Sequence, residues 1–289
     1  MAPRVDTQEK IYRYSSLARP LDPRWPTNRA VLILMPVAAA ILAVVGPATP
    51  GLAGSSRVWA AASAAAVVLG AWALAREIAP DDQRGAFFAM ACGLAALILV
   101  PSVSLALLFT TLALTRMLSR SVGLPARTLD GMAVLVLTGW SMASTRSLGV
   151  GLVVGAGFAL DAVLPGGLRR QWGFAALSFA FVGFLAVTAQ APVGPLEPSL
   201  VAIVAQVAAA LLFITLILRT RSVRATGDAT ESPLSTLRVR CGMAAALGMA
   251  IQAPLFAEGS GGFSALVWAC IVGVAISGVA PPGRKPDGA

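Results

Sequence analysis

The sequence predicts an all-α, polytopic membrane helix bundle of ten transmembrane helices with both termini in the cytoplasm. Three observations predict it. The 289 residues are 57% hydrophobic and only 12% charged, with a mean hydropathy of +0.80, whereas soluble domains carry about 25% charged residues. Apolar runs of near-spanning length recur along the chain. When those runs alternate in direction, almost all Lys and Arg fall on one side of the membrane.

Residues 1–29 are polar and charged, which does not suit a cleavable signal peptide with its short basic start. Within this arm, Ile11, Tyr14 and Leu17 stand at helical spacing among basic residues, predicting a short interfacial helix along the inner headgroups. Pro20, Pro23 and Pro26 then break it. The membrane domain occupies 30–280, and 281–289 form a short cytoplasmic tail.

Apolar runs cover 30–46, 58–75, 85–100, 102–115, 129–144, 147–164, 172–191, 199–218, 241–256 and 263–280. A helix needs about 20 residues to cross about 30 Å of hydrocarbon, and only helices satisfy their own backbone there without a closed barrel. Residues 85–115 pose the one ambiguity in counting. One unbroken helix of that length would be about 46 Å long, whereas a turn at Pro101 leaves two short spans. Loop charge decides. With the turn, 20 of the 22 Lys and Arg share one face and only Arg57 and Arg146 oppose them; without it the division is 9 to 13. The positive-inside rule selects ten spans and cytoplasmic termini, and the expected location is a bacterial inner membrane. Eleven of the thirteen acids fall on that same face. Trp59, Trp72, Trp140, Trp172 and Trp268 lie near predicted span ends, as interfacial anchors do.

Residues 83–98 and 171–187 both open with Q-x-G among scattered Ala and Phe, a weak sign of internal duplication. Gly151 and Gly155 form a G-x-x-x-G pair beside Gly157, which predicts close helix packing inside the bundle.

Several functions are excluded. Histidine is absent, which removes His-ligated haem, His-based zinc, Ser-His-Asp triads and imidazole proton relays. Cys92, Cys241 and Cys270 show no C-x-x-C spacing and read as small buried side chains. The net charge of +9 with 20 Arg against 2 Lys reads as orientation signals and codon bias, not as a nucleic-acid surface.

Chemistry has two possible seats. The stretch "LAREIAPDDQRGAF" brings Glu77, Asp81 and Asp82 between Arg76 and Arg84, while Arg116, Arg120, Asp130 and Asp161 lie at neighbouring cytoplasmic ends. Gathered together, such carboxylates would hold Mg²⁺ and the arginines would hold phosphate oxygens. This would make an inner-leaflet enzyme acting on a phosphorylated or isoprenoid lipid. Intramembrane prenyltransferases carry aspartate-rich cytoplasmic loops after helices 2 and 6, the positions of Asp81, Asp82 and Asp161 here, but their N-D-x-x-D pattern is missing. In the simpler reading the aspartates cap the third helix, and Arg76 and Glu77 are solvated charges. Asp161 sits less than one turn inside its run, with Arg169 or Arg170 as expected partners. The second seat is a substrate path lined by Gln190, Gln206 and Gln252, for which interhelical hydrogen bonding is the competing role.

Ten short-looped helices without a soluble domain are similar in length and layout to drug/metabolite-type transporters. The functional expectation is therefore a permease-like carrier of a small molecule or lipid. The inner-leaflet enzyme is one alternative, and a non-catalytic subunit of a membrane complex is another. No cofactor is expected for the carrier, and membrane lipids are its expected surroundings.

Overall fold

A computed structural model describes residues 12–188, 200–253 and 262–279. Ten helices longer than two turns are present among the described residues: α1 (Pro26–Val45), α2 (Arg57–Ile78), α3 (Gln83–Leu99), α4 (Leu105–Ser119), α5 (Thr128–Thr145), α6 (Leu148–Val163), α7 (Arg170–Thr188), α8 (Leu200–Arg219), α9 (Thr236–Ile251) and α10 (Ala265–Val279). No strand occurs among them, only an isolated bridge between Thr226 and Pro233. Four helices, α1, α2, α7 and α8, are long and apolar enough to cross a membrane, in keeping with a membrane protein.

The ambiguous run is two helices. Chain direction reverses after Leu99 through a turn in which Ser102 adopts φ 62, and Ser104 caps α4 by accepting from the Leu107 amide. The helices that result scarcely touch each other. Both instead pack on α2.

At the centre lie α2, α4, α9 and α10. Their facing side chains are small or slender, among them Val67, Ala71, Leu108, Ala246 and Ile271, all at 0% exposure. Gly273 brings the α10 backbone against Ala89 of α3, where any side chain would strike the α3 main chain. The predicted glycine pair acts in this way too: Gly151 faces Val182, and a Cβ on Gly155 would come within 2.7 Å of the Phe179 ring. Both contacts are to α7. Gly157 turns the other way, onto Leu114 of α4. Close approach without side chains is how membrane helices gain packing contact.

Helices α1, α7 and α8 are peripheral. Only Phe213 of α8 is buried. Trp59, Trp140 and Trp172 are more than half exposed, whereas Trp72 and Trp268 are core residues at 6% and 9%, so the anchor reading does not hold for those two. The two Q-x-G openings also differ. Gln83 is exposed while Gln171 is buried, and Gly85 packs on Val274 while Gly173 meets nothing within 4 Å.

Candidate functional site

Helix ends carry the polar chemistry, and they run further than the apolar runs do. α2 continues over Arg76 and Glu77, α4 over Arg116, and α9 begins early enough to include Arg238 and Arg240. Charged residues enter a bundle at low cost only when neutralised; Glu77, Arg116 and Arg238 are paired, whereas Arg76 Nη1 is buried without a hydrogen-bond partner.

Asp161 of α6 is fully buried and anchors the first network. Its Oδ1 accepts from Arg238 Nη1 at 2.6 Å and from Arg120 Nη2 at 3.4 Å, and its Oδ2 accepts from Gln171 Nε2 at 2.9 Å. Arg238 donates further to the Leu118 and Pro165 carbonyls, and Arg120 to Gly166 O. One carboxylate thus ties α4, α6, α7 and α9. Arg120 takes the left-handed conformation, φ 50, as it ends α4. Burial holds its guanidinium below the ordinary arginine value, and Asp161 acts in the opposite direction. The expected partners of Asp161, Arg169 and Arg170, are not the ones used; Arg170 instead donates to Ala126 O.

Glu77 anchors the second. It is not a solvated charge but a side chain at 0% exposure, paired with Arg116 Nε at 2.8 Å, Arg19 Nη1 at 3.7 Å and Ser119 Oγ at 3.3 Å. Arg19 also grips Asp228 through two nitrogens, at 2.5 and 2.8 Å. Burial pulls the Arg19 guanidinium down, but Glu77 and Asp228 together raise it above its ordinary value.

Asp130 forms the third, accepting from the hydroxyls of Ser15 and Ser16 at 2.6 and 2.8 Å, the Ser16 amide, and the Arg127 amide that opens α5. The described part of the N-terminal arm therefore docks on the polar helix ends. Arg116 donates to Leu17 O, and Arg127 to Tyr12 O. Ile11 lies outside the described residues.

Of the aspartate pair, Asp82 caps α3 through the Arg84 amide at 3.0 Å. Asp81 does not cap that helix. It reaches the 219–240 loop and accepts from the amides of Arg224 and Ala225 at 2.9 and 2.8 Å. The same loop hydrogen-bonds to Ser121 and Val122 through the amides of Asp228 and Ala229. This works because Gly123 and Gly227 meet backbone to backbone: a Cβ on Gly227 would lie 2.8 Å from Gly123 Cα.

The acids fall into separate networks, each filled by protein donors. Among the described residues no three His, Cys, Asp or Glu side chains are grouped as a metal site would require. The donor set does not fit a shared Mg²⁺.

The two described glutamines of the predicted path sit on different helices. Gln252 is buried at the end of α9, where its Oε1 accepts from Ser147 Oγ at 2.5 Å. Gln206 is half-buried on peripheral α8, and Gln190 lies outside the described residues. Ser147 and Gln252 act as interhelical glue.

One groove is different in kind. Between α1 and α3, floored by Val68 of α2, runs a cleft of about 330 Å³ lined by apolar side chains that include Leu34, Val37, Phe87 and Leu94.

Sequence reasoning passed over Arg19, Ser15, Ser16, Gln171, Asp228 and Arg238. Nothing local marks the serines. Arg238 carried a signal, an arginine close to the start of an apolar run.

No family model matches the chain, no curated protein matches it, and no solved structure matches it. The likeness in layout to drug/metabolite-type transporters accordingly rests on helix number and loop length. Fold and site together define an all-helical protein with several long apolar helices, consistent with a membrane protein, whose buried ion pairs gather at helix ends.

Proposed function

We propose that the chain is a ten-span protein of the bacterial inner membrane, with both termini cytoplasmic, that works as a carrier of a small molecule or lipid. The polar ends support the topology. The arm before α1 and the loops α2–α3, α4–α5, α6–α7 and α8–α9 are the segments that loop charge assigns to the cytoplasm, and they bond to one another. Consecutive crossings bring alternate loops together in this way.

One observation carries the carrier reading: the tie through Asp161, Arg120, Arg238 and Gln171, which joins four helices at that end with a single carboxylate. Carriers rock one part of a bundle against another around a central site, and a polar tie closes one end reversibly because water takes over its hydrogen bonds when it opens. At the opposite end Ser147 bonds Gln252, and the Ser104 amide bonds Phe263 O. In this reading the tie holds the bundle closed toward the cytoplasm. The enzyme alternative needs free carboxylates beside an arginine, and the buried carboxylates Glu77, Asp130 and Asp161 are engaged by protein donors.

The test is the distance between spin labels at Gln83 and Arg169, both exposed at the polar end, in reconstituted protein. The carrier reading expects two distance populations, with the longer enriched in the Asp161→Asn variant. One narrow distribution unchanged by that substitution would count against it.

A further inference from the structure

We infer that the cleft between α1 and α3 is a binding site for an anionic phospholipid. One acyl chain would lie in the cleft, with the phosphate at the end where the N-terminal arm enters. The inference concerns a bound lipid and does not depend on transport.

The cleft exists because α1 and α3 both pack on α2 without closing on each other. The two helices run in the same direction. The turn after α1 places Gly51 against the carbonyl end of α3, at Leu97, so their C-termini share one end and their N-termini the other. That turn plugs the cleft at the C-terminal end. From Phe87 to Ile98 the cleft follows α3 for about 16 Å, an elongated apolar slot matched to a hydrocarbon chain rather than to a compact solute.

Charge at the open end completes the match. Arg84 stands one turn before Phe87 on the stripe that continues through Ala91, Leu94 and Ile98, all of which line the cleft. Its side chain is exposed, and its guanidinium has no ion-pair partner among the described residues, unlike Arg116, Arg120 and Arg238. α1 begins about 12 Å before its first cleft residue, Leu34, and carries no acid in its first turn. Asp22, just upstream, turns onto the Arg24 amide. The Asp82 carboxylate beside Arg84 is engaged at the Arg84 amide, which leaves the Arg84 guanidinium to favour a phosphate without a compensating cation.

The experiment uses full-length protein in vesicles containing phosphatidylglycerol or phosphatidylcholine whose acyl chains carry the same diazirine, with the labelled peptides read by mass spectrometry. Phosphatidylglycerol is expected to label residues 34–42 and 87–98 well above the exposed face of α8, which reports ordinary surrounding lipid. Phosphatidylcholine is expected to label the cleft less. Arg84→Gln should reduce the preference for phosphatidylglycerol about fivefold while leaving the α8 signal unchanged. Ala91→Trp should remove cleft labelling, and if that variant does not fold, the exposed Arg84→Gln change still decides. Labelling no stronger than on α8, equal labelling by both lipids, or cross-links joining the cleft to a second copy of the chain would each overturn the proposal.

Discussion

Asp161 and Arg238 lie 77 positions apart, on α6 and α9, and meet at 2.6 Å in a place where neither is more than 4% exposed. Removing one member of a buried pair strands the other. Asp161→Asn or Arg238→Gln should therefore destabilise the protein by about 3–5 kcal/mol, seen as a lowered unfolding midpoint in detergent. The double variant should recover about 0.5–3 kcal/mol of the summed effect. Strict additivity would show that the two side chains do not interact.

Arg120 pays for its contact with Asp161 through its backbone, φ 50 at the end of α4. Left-handed geometry costs a non-glycine residue about 1–2 kcal/mol. Arg120→Gly loses the guanidinium but relieves that strain, so it should be about 1 kcal/mol more stable than Arg120→Ala. Equal midpoints for the two variants would contradict the assigned conformation.

The N-terminal arm is held by Glu77, Asp130 and Asp228. Glu77→Gln and Asp228→Asn should loosen it, so that trypsin cuts after the exposed Arg13 and Arg24 several-fold faster in inside-out vesicles. Cleavage unchanged from the unsubstituted protein would mean that these pairs do not secure the arm.

Glycines offer a built-in comparison. Gly155→Ala places a methyl group 2.7 Å from the Phe179 ring, while Gly173→Ala meets nothing within 4 Å. The first should destabilise by about 1–3 kcal/mol, and the second should be neutral or stabilise by up to about 1 kcal/mol. A thermal melt of each variant distinguishes them, and the reverse order would refute the packing of α6 on α7.

Much of the fold was legible because the bilayer makes apolar length the dominant signal. Each of the ten apolar runs corresponds to a helix, and even the turn at Pro101 followed from where the arginines had to go. Helix ends were not legible. A run judged by hydropathy stops at its first charge, yet α2 carries Glu77 and α9 carries Arg238 inside the bundle because Arg116 and Asp161 neutralise them. Those partners lie 39 and 77 positions away, beyond any local pattern. Asp82 was readable as a cap, since a cap is a local bond. Asp81 beside it was not, since it caps a loop 143 positions on.

The central claim is that ten helices alternate in direction, so that the loop at Ser102 and the polar loops lie on opposite faces of the membrane. It is tested most directly by a single cysteine at exposed Ser102, in a chain with Cys92, Cys241 and Cys270 replaced by alanine, probed with a membrane-impermeant maleimide. The ten-helix account predicts labelling of intact cells from the periplasmic side, with a cysteine at Arg224 labelled only in inside-out vesicles. Labelling at Ser102 from the cytoplasmic side alone would contradict it.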